Sequence, residues 1–286
     1  MKINFTKMHG CGNDYIYVNC FEKELPEPEK ISAKMSPRHF SVGSDGLILV
    51  CRSDVADAKM RMFNLDGSEG KMCGNGIRCV GKFVHDYGLC EKTTLDIETL
   101  SGIKHLALHL GDDGKVKTVT VDMGKADITA KNVPVAAKTE TVVNAPVTIG
   151  GKEYKITCVS MGNPHAVTFV GDVNGIEIEK IGPLFEFDPM FPERVNTEFA
   201  EIVDKNTIKM RVWERGSGET YACGTGACAT AVAAILGGYC DYDEKITVKL
   251  IGGDLDIVVS RDMSVTMTGG AEKVYEGVYE YEDQAE

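Results

Sequence analysis

The feature that most constrains this 286-residue chain is a self-similarity at a spacing of 150 residues. Shifting the sequence by that amount lays Gly12-Asn13 on Gly162-Asn163, Phe63 on Trp213 and Glu69 on Glu219. The same shift lays Cys73-Gly74 on Cys223-Gly224, Gly76 on Gly226, Gly88 on Gly238 and residues 44–50 on 194–200. Few positions match within any one segment, but a single register joins segments far apart in the chain. Such a register implies an internal duplication, with each half long enough to bury its own core. The boundary is expected in 124–144, a stretch rich in Ala, Lys and Thr.

Hydrophobic periodicity says what each half is made of. Residues 3–8, 15–19, 47–50, 59–63, 94–99, 116–123, 155–159, 166–170, 209–213, 245–250, 255–259 and 264–268 alternate with period two, as half-buried strands do. Helical spacing is clearest over 76–87 and 226–236, and weaker patterns begin near Ile31 and Ile176. Asp112-Asp113-Gly114, Gly150-Gly151 and Gly252-Gly253-Asp254 read as turns. The acidic tail 280–286 reads as frayed.

Composition narrows the class of partner. With 43% hydrophobic and 26% charged residues the chain has the balance of a soluble globular protein, not of a disordered one. Its formal charge is −12 and no basic stripe stands out, which argues against nucleic acid and anionic membrane. No stretch approaches the roughly 20 apolar residues of a membrane helix, and the first ten residues lack the apolar segment of a secretory signal. Ten cysteines are spread along the chain without a Cys-x-x-Cys pair. That usage suggests buried thiols in a reducing cytoplasm, with no metal centre and no disulfide scaffold.

The chemistry concentrates where the two copies agree. Phe63-Asn64-Leu65-Asp66-Gly67-Ser68-Glu69-Gly70-Lys71-Met72-Cys73-Gly74-Asn75-Gly76 and Trp213-Glu214-Arg215-Gly216-Ser217-Gly218-Glu219-Thr220-Tyr221-Ala222-Cys223-Gly224-Thr225-Gly226 each run from a strand through a polar turn into Cys-Gly-x-Gly and an apolar helix. A cysteine at a helix start lies beside unpaired N–H groups at the positive end of the dipole. Its thiol is expected to fall below the free value of about 8.5, and the N–H groups can hold a carboxylate or phosphate. Pseudo-two-fold symmetry allows one carboxylate to sit between both helix starts, with a sulfur on each side of the adjoining carbon. A thiolate on one face and a thiol on the other invert such a carbon without a cofactor.

Lys7-Met8-His9-Gly10-Cys11-Gly12-Asn13-Asp14-Tyr15, Met72-Cys73-Gly74-Asn75-Gly76-Ile77-Arg78-Cys79, Gly162-Asn163-Pro164-His165, Val195-Asn196 and Trp213-Glu214-Arg215-Gly216 with Ala222-Cys223-Gly224-Thr225-Gly226 resemble the diaminopimelate epimerase family. So does the ending Met267-Thr268-Gly269-Gly270-Ala271-Glu272-Lys273-Val274-Tyr275-Glu276-Gly277. The resemblance implies an α+β fold of two pseudo-symmetric domains, each a strongly curved, mostly antiparallel sheet wrapped around a central helix. The domains would be 1–124 plus 269–286, carrying Cys73, and 125–268, carrying Cys223, with the active site in the cleft between them.

By the same resemblance the chain interconverts LL- and meso-diaminopimelate without pyridoxal phosphate or any other cofactor, for lysine and peptidoglycan precursors. Cys73 and Cys223 would be the acid/base pair. The N–H groups of Gly74, Asn75, Gly224 and Thr225 would hold the reacting carboxylate. Asn13, Asn64, Asn163, Asn196, Glu214 and Arg215 would bind the rest of the substrate, with Arg215 as a fork for the far carboxylate and Glu214 as acceptor for an ammonium. His165 and Glu214 match positions that tune the thiols, and Tyr275 matches a tail residue of a homodimer contact. Ser44-Asp45-Gly46 departs from members that carry Phe-Asp-Gln, whose glutamine touches substrate, and Gly270 stands where proline is common.

Plainer readings exist for each residue. Two buried thiols, turn asparagines, a surface Glu214-Arg215 ion pair and a core His165 would look similar in sequence; Cys79, Cys228 and the remaining cysteines read as packing. Three other functions stay open: a proline-type racemase with two cysteines, a thiol–disulfide protein built on Cys73 and Cys223, and a non-catalytic binding member of the fold. Oxidation of the pair to a Cys73–Cys223 disulfide is a hypothesis that loss of both free thiols would test.

Overall fold

Alternation in the first ten residues forms β1 (Lys2–Gly10), which turns back into β2 (Asn13–Cys20) through Cys11 and Gly12, both at positive φ. A two-residue turn with both central residues there matches the twist of the strands it joins. β2 runs parallel to β3 (Gly46–Cys51), and β3 antiparallel to β4 (Ala58–Asn64). Between β2 and β3 lies α1 (Pro28–Met35), whose proline opens the first turn where no backbone donor is needed. β5 (Glu69–Gly70) pairs with β4 and leads into α2 (Gly74–Asp86). β6 (Thr94–Thr99), β7 (Gly102–Leu110) and β8 (Val116–Lys125) then form a meander that joins β4 through a parallel β4–β6 pair.

The second half repeats this course with β9 (Ala145–Ile149), β10 (Lys152–Ser160), β11 (Pro164–Phe169), α3 (Ile178–Glu186), β12 (Asn196–Asp204), β13 (Thr207–Glu214), β14 (Gly218–Thr220) and α4 (Gly224–Leu236). β15 (Lys245–Leu250), β16 (Gly253–Val259), β17 (Ser264–Gly270) and β18 (Glu272–Glu280) complete the chain. The computed structural model describes residues 1–282. They form two compact units, one of Met1–Val121 with the stretch from Gly269 onward, the other of Asp122–Thr268.

Strand order in the N-terminal unit is β18-β1-β2-β3-β4-β6-β7-β8, with β5 added on β4. In the C-terminal unit it is β9-β10-β11-β12-β13-β15-β16-β17, with β14 added on β13. Both sheets are antiparallel except at two corresponding places, β2–β3 and β4–β6 in one, β11–β12 and β13–β15 in the other. The spacing of 150 residues holds for β1 and β10, α1 and α3, α2 and α4. One position breaks the rule. The place that β9 takes beside β10 is taken beside β1 by β18, from the far end of the described chain.

Helices pack on both faces of the central strands of each sheet, while strands such as β6, β7 and β15 keep one face exposed. In β2, Ile16 and Val18 join Ile31 and Met35 of α1, while Tyr17 on the opposite face stacks on Phe83 of α2 at 6.3 Å. α2 touches β1, β2, β3, β4 and β7, so the sheet curls round it. α4 is enclosed further: Ala227, Cys228, Ala229, Ala231, Ala233 and Ala234 are all buried, and a helix apolar on every side needs neighbours on every side. Its small side chains let the surrounding strands come close.

The helices begin at Gly74 and Gly224, two residues before the apolar periodicity does. β7, β9 and β12 escaped the pattern, as did the short β5 and β14; in β7, Ile103 and Leu110 face solvent and blur the alternation. The tail is not frayed at its start, because Lys2 pairs with Glu280 and Tyr281 is buried. Residues 283–286 of that tail lie outside the described residues. The stretch 124–144 packs Ala130, Val133, Val135 and Val142 into the core of the C-terminal unit.

Candidate active site

Both glycine-rich turns become helix N-termini capped by cysteine. Cys73 (φ −129°, ψ 122°) precedes α2 and Cys223 (φ −118°, ψ 110°) precedes α4, each extended as an N-cap residue is. The sulfurs accept from the N–H groups of Gly76 and Gly226, in both cases at 3.4 Å. A larger residue at that third position would push on neighbouring side chains. A Cβ on Gly226 would lie 2.6 Å from Glu198 Oε1 and 3.3 Å from Cys223 Sγ, and one on Gly76 would lie 2.8 Å from Ile48 Cδ1.

In the N-terminal unit the Cys73 thiol donates to Asn13 Oδ1 at 3.2 Å, and Asn13 Nδ2 donates to Asp45 Oδ2 at 2.7 Å. The Tyr15 hydroxyl faces the same sulfur. Burial pushes the Cys73 thiol up, against the opposing pull of the Gly76 and Asn75 N–H groups, Tyr15 and the Arg78 guanidinium. This corrects the expectation of a lowered thiol: the helix end acts in the predicted direction, but removing the thiolate from water costs more.

The C-terminal unit arranges its cysteine differently. Cys223 is 6% exposed, with Thr225 Oγ1 at 3.5 Å. Burial, then the charges of Glu214 and Glu198, push its thiol well above the usual range. The Glu214 carboxyl faces the thiol, accepts from Thr220 Oγ1 and is itself pushed up by burial. His165 and Glu198 are both 0% exposed. His165 Nδ1 lies 2.7 Å from Glu198 Oε1, its Nε2 3.1 Å from Asn163 Oδ1, and Asn163 Nδ2 3.3 Å from Thr225 Oγ1. His165 therefore reaches the Cys223 turn through Asn163 and Thr225, and both its ring nitrogens are engaged. A buried carboxylate needs such a partner.

Other predicted residues are placed less directly. Gly74, Asn75, Gly224 and Thr225 form the first turns of α2 and α4. Asn196 braces the backbone, with Nδ2 donating to Pro164 O at 3.1 Å and Oδ1 accepting from Arg215 N at 2.8 Å. Asn64 Nδ2 donates to Ser68 Oγ at 3.0 Å within its own hairpin. The exposed Arg215 guanidinium donates to Glu193 O at 2.9 Å. Neither Asn13 nor Asn163 has positive φ; Cys11, Gly12 and Gly162 carry the turns beside them. Tyr275, in β18, stands edge-on to Phe5 at 5.9 Å and is 43% exposed.

Sequence reasoning missed Tyr15, Asp45 and Glu198. Glu198 carried no local signal, since its strand also holds Asn196, Thr197, Glu201 and Asp204. It also left Cys20 and Cys51 without partners. The parallel β2–β3 register sets them side by side, and the hydrogen bond from Cys51 lowers the Cys20 thiol. Cys79 and Cys228 are fully buried on their helices. Among the described residues no group of three or more His, Cys, Asp or Glu is placed to hold a metal, and no helix is long and apolar enough to cross a membrane.

Comparison with known proteins adds the family. The diaminopimelate epimerase family model matches residues 5–129 and 157–274. The diaminopimelate epimerase of Acetivibrio thermocellus is 56% identical over 276 residues, covering 96% of this chain and 98% of that protein. That of Methanococcus maripaludis is 54% identical over 276 residues, covering 96% and 99%. Among solved structures, a PhzF-family phenazine biosynthesis protein of Bacillus anthracis aligns with a TM-score of 0.72 at 18% identity, over 98% of this chain and 100% of that one. A hydroxyproline epimerase from Agrobacterium vitis aligns at 0.71 and 15% identity, over 99% and 94%. These structural likenesses show the shared, duplicated α+β fold alone. The sequence matches take in both capped helices and run along almost the whole length, and on them the chain belongs to the diaminopimelate epimerase family.

Proposed function

We propose that the chain epimerises diaminopimelate between its LL and meso forms by moving a proton between Cys73 and Cys223 across the α carbon. The observation that carries this reading is the equivalent placement of two cysteines, each an N-cap with an asparagine and a glycine-rich helix start, in two units of one topology. One sulfur, as thiolate, takes the α proton. The charge left on the carboxylate is held by helix N–H groups, and the opposite thiol supplies a proton to the other face. Reversal exchanges the two roles. Glu214, protonated more readily than an ordinary carboxyl and facing Cys223, is suited to accept that thiol's proton.

The substrate contacts proposed for Asn13, Asn64, Asn163, Asn196, Glu214 and Arg215 rest on the family motifs, as does cofactor independence. The same reading makes the protein a cytoplasmic homodimer that feeds lysine and peptidoglycan precursors. Support for a dimer comes from β18, which pairs only with β1 among the described residues and exposes Val274 and Val278 by 55% and 58%.

The test is incubation of LL-diaminopimelate in D₂O with the parent protein, Cys73→Ala and Cys223→Ala. The parent is expected to place deuterium at the α carbon with inversion, and each variant to lose epimerisation by about a hundredfold or more. A variant with ordinary turnover removes its cysteine from the mechanism. Proline, run alongside, separates this reading from a proline-type racemase.

A further inference from the structure

We propose that Asp45 is a positioning residue that locks the Asn13 amide with its carbonyl turned to the Cys73 thiol and its NH₂ turned away. The proposal rests on the assignment of Cys73 as an acid/base and deepens it. An asparagine side chain can present either end to a neighbour, and the choice decides which form of a thiol it favours. A carbonyl holds the S–H; an NH₂ would favour the thiolate. At Asn13 the choice is made by Asp45, whose ionised carboxylate can only accept, so the NH₂ must face it at 2.7 Å. The carbonyl is left to receive the thiol proton at 3.2 Å.

Asp45 is itself held on several sides. The Asp14 N–H reaches the same oxygen at 3.1 Å, the Arg38 guanidinium reaches the other at 3.0 Å, and the Asp45 N–H donates to Asp14 O at 2.8 Å. Arg38 and the buried Lys7 both pair with the Asp14 carboxylate, and Lys7 also donates to Gly43 O, tying down the segment before β3. The other unit fixes its asparagine with different residues and by the carbonyl end instead. At the repeat spacing Asp45 corresponds to Val195, which cannot accept, and Asn163 is instead gripped by His165, braced by Glu198. Duplication has kept an oriented amide in each unit, touching Cys73 directly in one and reaching Cys223 through Thr225 in the other, but not the residue that orients it.

The readout is the titration of Cys73 itself, followed in the whole protein as its rate of alkylation by iodoacetamide against pH, with peptide mass spectrometry to separate it from the other thiols. The groups facing it are Tyr15 and Tyr17 from β2, Arg78 and Cys79 from α2, and they are the same in every variant. Asp45→Asn frees the amide to turn its NH₂ to the sulfur, and the Cys73 midpoint is expected to fall by about one unit. In an Asn13→Ala background the same substitution is expected to shift nothing further. An unchanged midpoint, or an equal fall without Asn13, overturns the proposal, the second showing that Asp45 acts through its charge alone. If Asp45→Asn does not fold, Asp45→Ser, too short to reach Asn13, gives the same comparison. Alkylation needs no turnover, so an active Cys73→Ala enzyme would refute the catalytic assignment while leaving this test intact.

Discussion

At Gly46, where the family resemblance leads one to expect a glutamine, the backbone leaves no room for a side chain. A Cβ added to Gly46 would lie 2.1 Å from Phe63 O, well inside contact distance and against backbone, not a movable side chain. Gly46 pairs with Asn64 across β3 and β4, so any side chain forces those strands apart beside a predicted substrate residue. Gly46→Gln is therefore expected to destabilise the protein by about 1–3 kcal/mol, as overpacked sites do, and to gain no activity. Urea unfolding and steady-state rates measure both. A variant as stable as its parent and faster than it would mean that the β3–β4 spacing adapts to the larger side chain. The residues that a sequence exposes least are of the same kind: Asp45 and Glu198 act by where folding puts them, thirty or so positions from the side chains they hold.

The period-two segments and the two apolar helices were legible because burial on a sheet or around a helix imposes its spacing on the sequence directly. Both cysteine caps were legible for the same local reason. What was not legible is pairing over distance. Cys20 and Cys51 meet only through the parallel β2–β3 register, and the return of residues 269 onward to the first domain is read from the family resemblance, not from any local pattern that announces β1 as partner. β18 also bears on assembly. Its register with β1 slips at Val274, between the Lys7–Tyr275 and Met8–Lys273 pairs, and a bulge of this kind blunts an edge against strand addition. The proposed dimer, if built on β18, would then use side-chain packing around Val274 and Val278 and not an extended ladder. In sedimentation velocity the parent is expected to run as the proposed dimer, and the variant with both valines replaced by lysine as a folded monomer. A dimer that survives both charges places the contact elsewhere.

Over the whole molecule, ten thiols and a net charge of −12 set the response to alkali. Burial pushes Cys79 in the N-terminal unit up to about 11, and burial with the Glu198 charge pushes Cys158 in the C-terminal unit up to about 12. An unfolded thiol titrates near 8.5. As pH rises past that value the unfolded chain gives up thiol protons that the folded chain still holds, so folding stability is full below about pH 8.5 and declines toward the folded values. Each such thiol removes about 1.4 kcal/mol per pH unit within that window, and the growing negative charge acts in the same direction. The lone tryptophan makes this measurable in one unit, because Trp213 and Cys158 belong to the same core cluster. Urea midpoints followed by Trp213 fluorescence are expected to fall from pH 8.5 to 10.5. In Cys158→Ala, which starts less stable, the fall should be shallower by about one proton's worth. Equal slopes in the two proteins would mean that Cys158 ionises as readily folded as unfolded, and that burial does not protect it.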